Sequence, residues 1–169
     1  MEPLTAGDDI LDPVVASALA RMALPHEVLA CDPQWADTAE FCQQYGIPAA
    51  NTCNTIIVAL KTNPRRYAAC LVPSNTRLDV NHKLSALTGT RRLSFASGEE
   101  TSLLTGMRIG GVTIIGLPPD MPLYVDSRVL ENDYIIVGGG NRSSKVRLDP
   151  RLLTKMANAS VADIANPLV

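Results

Sequence analysis

The 169-residue sequence has no apolar run long enough to cross a membrane. Its longest apolar runs, such as 55–60 and 112–117, fall far short of the roughly 20 residues that a membrane-spanning helix needs. The N-terminus carries Glu2, Asp8 and Asp9, where a secretory signal has basic residues before an apolar stretch. We therefore expect a cytoplasmic protein with no membrane partner.

Common catalytic and metal-binding patterns are also missing. The chain has two histidines, His26 and His82, and they form no HExxH motif, metal-spaced pair or Ser-His-Asp order. The four cysteines lack CxxC spacing, so we interpret them as reduced core thiols: Cys31, Cys42, Cys53 and Cys70. We expect no metal or other cofactor. An enzyme built on this sequence would have to use backbone groups, water and the substrate itself.

The charge balance gives no general attraction to nucleic acid. The net charge is -2 and the isoelectric point is near 5.6, so an RNA partner would require a local basic face. Small basic clusters are usually solvated surface. The candidate clusters are Lys61, Arg65 and Arg66, then Arg91 and Arg92, and then Arg142, Lys145 and Arg147.

The composition predicts one globular domain over residues 1–169, because 46% of the residues are hydrophobic and 19% are charged. Apolar spacing predicts a helix over 10–22, and Ser97 with Glu100 predicts a capping box for a helix that ends near Gly106. Further helices are expected from Asp37 to near Gly46, from Asp79 or Asn81 to Leu87, and over 150–157. Strands are expected at 27–31, 55–60, 67–72, 111–117, 123–125, 134–137 and 145–148, the second and third forming a hairpin. This mixture, without regular βαβ alternation, indicates an α+β fold.

Two glycine-rich segments are candidates for a ligand site. In 107–118, Gly110 and Gly111 would let a ligand approach the backbone and would leave amides as oxyanion donors. The same spacing fits a bulged strand joined to turns. The segment 137–145 lacks the order of a phosphate-binding loop, and both a hairpin turn and a ligand-facing loop remain open.

Taken in order, segments spread over 19–156 resemble the YbaK-like family of aminoacyl-tRNA editing deacylases, which includes the editing insertion of bacterial prolyl-tRNA synthetase and free-standing trans-editing enzymes. The segments that carry the resemblance are 53–58 (CNTIIV), 66–73, 76–79 (TRLD), 99–106, 109–118, 123–126 (LYVD) and 138–150. Several independent segments in one order are more specific than a single glycine motif.

The resemblance implies a fold and an activity. It implies a single α+β domain with a mixed, largely antiparallel sheet curled around a pocket and flanked by helices, with a core of about 19–156 and short extensions at both ends. In that pocket the amino acid of a mischarged tRNA enters and its ester is hydrolysed.

The resemblance also implies the site residues. In this family a lysine before the Thr-hydrophobic strand helps to hold the substrate, and a GxxxP loop positions the carbonyl and a water. Asn54 lies at the lysine position and Ile114 at the proline position. Asparagine keeps hydrogen-bonding capacity but lacks the charge, and Lys145 is a candidate to return a cation from another strand. The implied catalytic positions are Asn54, Gly110, Gly111 and Thr113, and the implied substrate-binding positions are Thr55, Val112, Gly116, Asp126, Gly138, Gly139 and Lys145.

The leading hypothesis is a trans-acting aminoacyl-tRNA deacylase that serves translation quality control. Its expected partner is the 3′ end of a mischarged tRNA, with an aminoacyl-tRNA synthetase as a second candidate partner. Two alternatives remain open. One is a non-catalytic binding module for aminoacyl-tRNA, an aminoacyl-like small molecule or a protein, and the other is hydrolysis of a different small ester or amide.

Overall fold

A long hairpin organises the protein. The computed structural model describes residues 3–168. The hairpin strands are β3 (Cys53–Leu60) and β4 (Arg66–Pro73), which pair antiparallel from Cys53 opposite Pro73 to Leu60 opposite Arg66. Both strands are rich in β-branched and other apolar residues because each is largely buried. The predicted hairpin is confirmed.

The hairpin forms the centre of a five-stranded sheet. The strand order is β10-β7-β4-β3-β6, with β6 (Leu93–Phe95), β7 (Leu123–Asp126) and β10 (Ala159–Ala162). Strand β7 runs parallel to both of its neighbours, and the other pairs are antiparallel. Parallel pairs need long connections, and the β4–β7 connection carries two of the helices.

A second sheet packs next to the first. It has the antiparallel order β1-β2-β9-β8, and a separate pair joins β5 to β11. The bounds are β1 (Thr5–Ala6), β2 (Glu27–Ala30), β5 (Thr76–Leu78), β8 (Ile135–Gly138), β9 (Ser144–Leu148) and β11 (Ala165–Pro167). One isolated parallel bridge, between Thr52 and Ile136, connects the two larger sheets. The expected single curled sheet is therefore divided, while the α+β class and the mixed, largely antiparallel pairing are confirmed.

The helices begin and end at residues that the sequence marks. Helix α1 (Pro13–Met22) begins where the Asp12 carboxylate accepts a hydrogen bond from the Val14 amide at 2.9 Å. Helix α2 (Thr38–Tyr45) ends at Gly46, whose φ is 67°. A π-helical turn leads into the short α3 (Ser85–Thr88), and α4 (Gly98–Thr105) has the predicted capping box of Ser97 and Glu100. Among the described residues, no helix is long and apolar enough to span a membrane.

Two predicted elements are wrong. The segment 111–117 forms no strand but an irregular loop between α4 and β7. Its apolar composition reflects burial, since Ile114 and Ile115 are fully buried, and Gly116 has a φ of 89° that no strand adopts. The predicted C-terminal helix over 150–157 is a 3-10 helix, Pro150–Lys155, and strands β10 and β11 follow it.

The main core lies between the two larger sheets and is covered by α1. Val15, Ala18 and Leu19 of α1 pack in one cluster with residues of both sheets, such as Ile57 and Val137. Cys31, Cys53 and Cys70 are buried free thiols, and Cys42 is partly buried. The predicted core position is confirmed for three of the cysteines and is wrong for Cys42.

Asp126 connects β7 to the C-terminal strands. Its side chain is completely buried, and Oδ2 accepts hydrogen bonds from the amides of Ile164 at 2.9 Å and Ala165 at 3.0 Å. Oδ1 accepts from the Arg128 amide at 3.0 Å, and the Arg128 guanidinium lies beside it. The carboxylate is thus used within the fold.

We predict that Asp126→Asn lowers the free energy of unfolding by about 2 kcal/mol, because hydrogen bonds to a buried charged group contribute about 1.5–3 kcal/mol. The asparagine side chain has one acceptor oxygen in place of two. Its NH₂ group would therefore face one or more of the backbone N–H donors that bind the carboxylate. Urea denaturation measures the change. Asp163→Asn is the control, since this exposed carboxylate contacts Lys83 and Arg128 at the surface, and a decrease equal to that of Asp126→Asn would contradict the prediction.

Candidate functional site

A cavity of about 420 Å³ lies where β3 separates from the second sheet. Beyond the Thr52–Ile136 bridge the two sheets diverge, and the start of α2, the start of α4 and the loop 106–122 surround the gap. The lining consists of Ala36, Asp37, Thr38, Cys53, Asn54, Thr55, Ile56, Ile57, Phe95, Ala96, Gly98, Thr101, Ile109, Gly110, Val112, Gly138 and Lys145. The cavity therefore has an apolar wall from β3 and several polar groups from separate elements.

Asn54 presents a free donor to this cavity. Its side-chain oxygen accepts a hydrogen bond from the Thr38 hydroxyl at 2.6 Å. Within residues 3–168 its amide nitrogen has no hydrogen-bond partner. The Thr38 contact fixes the orientation of the amide group, so the NH₂ group remains available to a ligand.

Two buried hydroxyls lack partners. Thr55 Oγ1 and Thr113 Oγ1 are the buried side-chain nitrogen or oxygen atoms in the described chain that form no hydrogen bond. Burial of an unpaired hydroxyl costs free energy. Thr55 is a residue of the cavity lining, whereas Thr113 is not, but neither hydroxyl oxygen reaches the surface of the cavity.

Lys145 is a buried cation in the cavity wall. Only 7% of the residue is exposed, Nζ donates to the Ala36 carbonyl at 2.6 Å, and it lies 5.2 Å from the centre of the Phe41 ring. Burial lowers the pKa of Lys145 from its ordinary value, and the nearby Cys31 opposes that effect. An ammonium group carries three donors, so the group retains hydrogen-bonding capacity beyond the Ala36 contact.

The loop after α4 contributes backbone donors. Gly110 has a φ of 89°, and a Cβ there would collide with the Arg142 side chain. The loop is held by hydrogen bonds from the Arg108 amide to the Gly140 carbonyl at 3.0 Å and from the Gly140 amide to the Gly111 carbonyl at 2.7 Å. Within the part of the chain that the structure describes, the amides of Gly110 and Val112 donate no hydrogen bond.

The glycine-rich hairpin 137–145 packs against this loop. A Cβ on Gly138 would lie 2.6 Å from the Gly111 carbonyl oxygen, so only glycine allows the close approach. Arg142 crosses the loop and binds the Asp37 carboxylate and the Pro33 carbonyl, each at 2.9 Å. The hairpin 137–145 is thus a ligand-facing element at Gly138 and Lys145 and a structural support at Arg142.

The structure brings six of the eleven predicted site residues to the cavity: Asn54, Thr55, Gly110, Val112, Gly138 and Lys145. The other five lie outside its lining. A Cβ on Gly111 would meet the Asn141 backbone, one on Gly139 would meet Ser144, and one on Gly116 would meet Val14.

Thr113 and Asp126 also lie outside, for reasons of packing. Thr113 is completely buried beside Met107, and its amide points to the Met107 sulfur at 3.4 Å. Asp126 holds the C-terminal strands. For these two residues the structure gives a role in the fold and no contact with the cavity.

Sequence reasoning missed eleven of the cavity residues, among them Asp37, Phe95 and Ile109. Phe95 is 60% exposed and Ile109 is 53% exposed, so two large apolar side chains border the cavity mouth. Phe95 could have been singled out from the sequence, because the chain has only two phenylalanines. Asp37 binds Arg142, which is distant in the sequence, so no local pattern predicts this contact.

Cys53 also lines the cavity but is not suited to nucleophilic attack. Burial raises the pKa of its thiol to about 12, with a further contribution from the nearby Asp126 carboxylate. A thiol reacts as the thiolate, which this environment disfavours. In the described residues, no group of three histidine, cysteine, aspartate or glutamate side chains could hold a metal ion.

Comparison with known proteins relates this site to a described domain. Residues 32–156 match the model of the aminoacyl-tRNA editing domain. A protein of Enterococcus faecalis named "Putative Cys-tRNA(Pro)/Cys-tRNA(Cys) deacylase EbsC" is 26% identical over 123 residues, which is 72% of this chain and 73% of that protein. The solved structure of a hypothetical protein superimposes with a TM-score of 0.81 at 27% identity, covering 90% of this chain and 99% of the other. A "putative trans-editing enzyme for prolyl tRNA synthetase" has a TM-score of 0.81 at 26% identity, covering 92% and 99%.

We predict that Thr113→Val preserves or raises the free energy of unfolding, by up to about 2 kcal/mol, because it removes an unpaired buried hydroxyl with little change in volume. Thr105→Val is the matched control. Its hydroxyl donates to the Thr101 carbonyl at 2.7 Å and accepts from the Met107 amide at 3.2 Å, so this variant should be less stable. Equal decreases in both variants, measured by chemical denaturation, would contradict the account.

The buried Lys145 predicts a pH dependence of stability. Its pKa is lower in the folded protein than the ordinary 10.5, so the unfolded chain binds the proton more tightly, and stability rises with pH between the two values. The free energy of unfolding of the wild type, relative to Lys145→Met, should therefore increase as the pH rises towards 10.5. Lys61→Met makes the same change in net charge at an exposed position and serves as the control. A constant difference across that range would contradict the lowered pKa of Lys145.

Proposed function

Because the chain belongs to the aminoacyl-tRNA editing domain family, we propose that it is a trans-acting deacylase that hydrolyses the ester bond of a mischarged tRNA. The observation that carries the proposal is a set of unpaired polar groups converging on one cavity. The set comprises the Asn54 amide and the backbone amides of Gly110 and Val112, all of them on residues that line the cavity. A cavity with a few convergent polar groups is typical of small-molecule sites.

The polar groups suit a reaction that develops negative charge on a carbonyl oxygen. Attack of water on the ester carbon forms a tetrahedral intermediate with an oxyanion, and preorganised N–H donors stabilise such an oxyanion. We assign this role to the amides of Gly110 and Val112, with the Asn54 amide orienting the ester. Breakage of the ester carbon–oxygen bond then releases the amino acid and the tRNA hydroxyl, which takes the proton.

In this proposal the substrate itself activates the water. No histidine lines the cavity in the described chain, and the carboxylate of Asp37 is bound by Arg142. A neighbouring ribose hydroxyl of the tRNA lies close to the ester and can position the water or relay its proton. Catalysis then comes from positioning and electrostatics, with no side chain as general base.

The charged groups of the wall suggest how the aminoacyl group is oriented. Lys145 contributes a positive charge on one side and Asp37 a negative charge at the start of α2. The α-amino group of the substrate fits beside Asp37, since like charges repel it from Lys145, and the carbonyl fits towards the cation and the loop amides. In this proposal Lys145, from β9, supplies the charge that the family resemblance assigns to a lysine at the Asn54 position.

The cavity volume limits the substrate. About 420 Å³ accommodates a small aminoacyl group with its ribose. Its lining includes the apolar residues Ile57 and Val112, which pack in one cluster, and this favours a small, weakly polar amino acid. The named specificity of the Enterococcus faecalis relative makes Cys-tRNA(Pro) the first substrate to test.

A second candidate function follows from one residue. Asn54 lies where the resemblance places a lysine, so the chain is also a candidate for a binding module that holds aminoacyl-tRNA, an aminoacyl-like small molecule or a protein without efficient hydrolysis. The cavity and its donors would serve binding as well as reaction.

Hydrolysis of a panel of mischarged tRNAs, beginning with Cys-tRNA(Pro), tests the proposal. We expect activity on at least one substrate, because the Asn54 amide and the loop amides of Gly110 and Val112 are available to hold the ester and its oxyanion. A folded protein that is inactive on the whole panel would contradict the proposal.

Variants of Asn54 separate the two candidate functions. Loss of a robust wild-type activity in Asn54→Ala would assign the asparagine a catalytic role, and higher or redirected activity in Asn54→Lys would indicate a weakened deacylase. If wild type and both variants are folded but inactive on the whole panel, the binding module becomes the better account.

A further inference from the structure

Phe95 is an exposed aromatic residue at the boundary of two cavities. The chain contains two phenylalanines, of which Phe41 is buried in the core and Phe95 is 60% exposed. The Phe95 side chain borders the proposed active-site cavity and also a neighbouring groove of about 670 Å³. Exposure of a large ring at this position has no evident benefit for folding, since its apolar surface remains in water.

The neighbouring groove has a mainly apolar lining with one arginine at its edge. Leu93, Ser94 and Phe95 of β6 form one side, and Arg77 and His82 lie on the other. The groove also contains the Asp79 carboxylate, which accepts hydrogen bonds from the His82 amide and the Asn166 side chain, each at 3.0 Å, and which keeps its negative charge. In the described residues Arg77 forms no ion pair with an acidic side chain.

Further positive charge lies at the N-terminal end of the same strand. Arg91 and Arg92 directly precede β6, and the Arg92 carbonyl accepts a hydrogen bond from the Lys61 amide at 2.9 Å. Arg66 pairs opposite Leu60 in the adjoining hairpin. Basic positions expected from the sequence therefore meet at the end of the sheet where β6 begins.

We propose that Phe95 is the stacking platform for the terminal base of the substrate RNA and that the adjoining groove holds the preceding single-stranded nucleotides. The inference rests on the proposed deacylase function, which places the aminoacyl group and its ribose in the cavity. The base attached to that ribose then lies at the cavity mouth, where Phe95 and Ile109 are exposed. Single-stranded nucleic acid is bound in this way by aromatic side chains that stack on bases and by basic groups that follow the phosphates.

This arrangement gives Phe95 a positioning role that is separate from the chemistry. Stacking of one base contributes enough to change affinity about tenfold or more when the aromatic residue becomes alanine. Arg77 contributes through phosphate charge, so its effect depends on salt, and the salt slope should fall by about 0.7 for each phosphate that is no longer neutralised. The ring therefore determines where the 3′ end is held, and the arginine adds affinity that is independent of sequence.

Binding of uncharged tRNA to the intact protein at low salt tests the proposal without relying on catalysis. We expect Phe95→Ala to raise Kd about tenfold, Phe95→Trp to restore binding, and Arg77→Ala to lower the salt dependence of Kd. Leu103→Ala is the matched control, since Leu103 is 80% exposed on α4 and lines neither cavity. With tRNA that lacks its single-stranded 3′ nucleotides, wild type and Phe95→Ala should bind equally.

Three results would overturn the proposal. They are a Phe95→Ala affinity equal to that of Leu103→Ala, a weakening of binding that persists with the truncated tRNA, and the absence of tRNA binding at low salt. The last result, together with capture of a protein on the Phe95 surface, would indicate a protein-binding face. The outcome is distinct from that of the deacylation assay, because binding of uncharged tRNA requires no hydrolysis, and a protein that is inactive on the whole panel can still bind the 3′ end through Phe95.

Discussion

The junction between the two larger sheets is the constraint on which the rest of the structure depends. Strand β3 pairs with β4 along its whole length but with β6 only from Val58 to Leu60, and one isolated backbone bridge, between Thr52 and Ile136, joins this part of the described chain to the second sheet. Beyond that bridge the backbones separate, and residues of β3 face β8 and β9 across a gap. Continued pairing would close this gap, so the end of the pairing creates the cavity and gives Asn54 and Thr55 a position in its wall.

Several groups around the cavity lower the stability of the folded protein. Thr55 Oγ1 is buried without a partner, and Lys145 is a largely buried cation with a lowered pKa. Local rules of polar satisfaction are commonly broken at functional sites and rarely elsewhere. The Thr113 hydroxyl breaks the same rule without lining the cavity, and its burial beside Met107 is explained by packing alone.

Particular residues show how far the sequence could predict the structure. The hairpin, the ends of α1, α2 and α4, and the α+β class follow from strand composition and capping residues, which act over a few positions. The prediction of a strand over 111–117 is wrong because an apolar, β-branched segment has the same composition whether it pairs in a sheet or passes unpaired through a core. Resemblance alone points to Gly110, Gly138 and Lys145, whereas the contact of Asp37 with Arg142 joins residues far apart in sequence and has no local pattern. Asp126 is a buried carboxylate that binds backbone amides, and the sequence alone does not distinguish such a residue from one that binds a ligand.

Side-chain and backbone NMR during titration with a non-hydrolysable aminoacyl-adenosine analogue, joined by an amide in place of the ester, tests the central claim most directly. The account predicts saturable shifts of the Asn54 side-chain amide and of the Gly110 and Val112 backbone amides, because these donors have no partner in the described fold and would gain one from the ligand. Unchanged signals at those three positions, with binding detected elsewhere, such as at the separate apolar cavity near Leu24 and Met156, would contradict it.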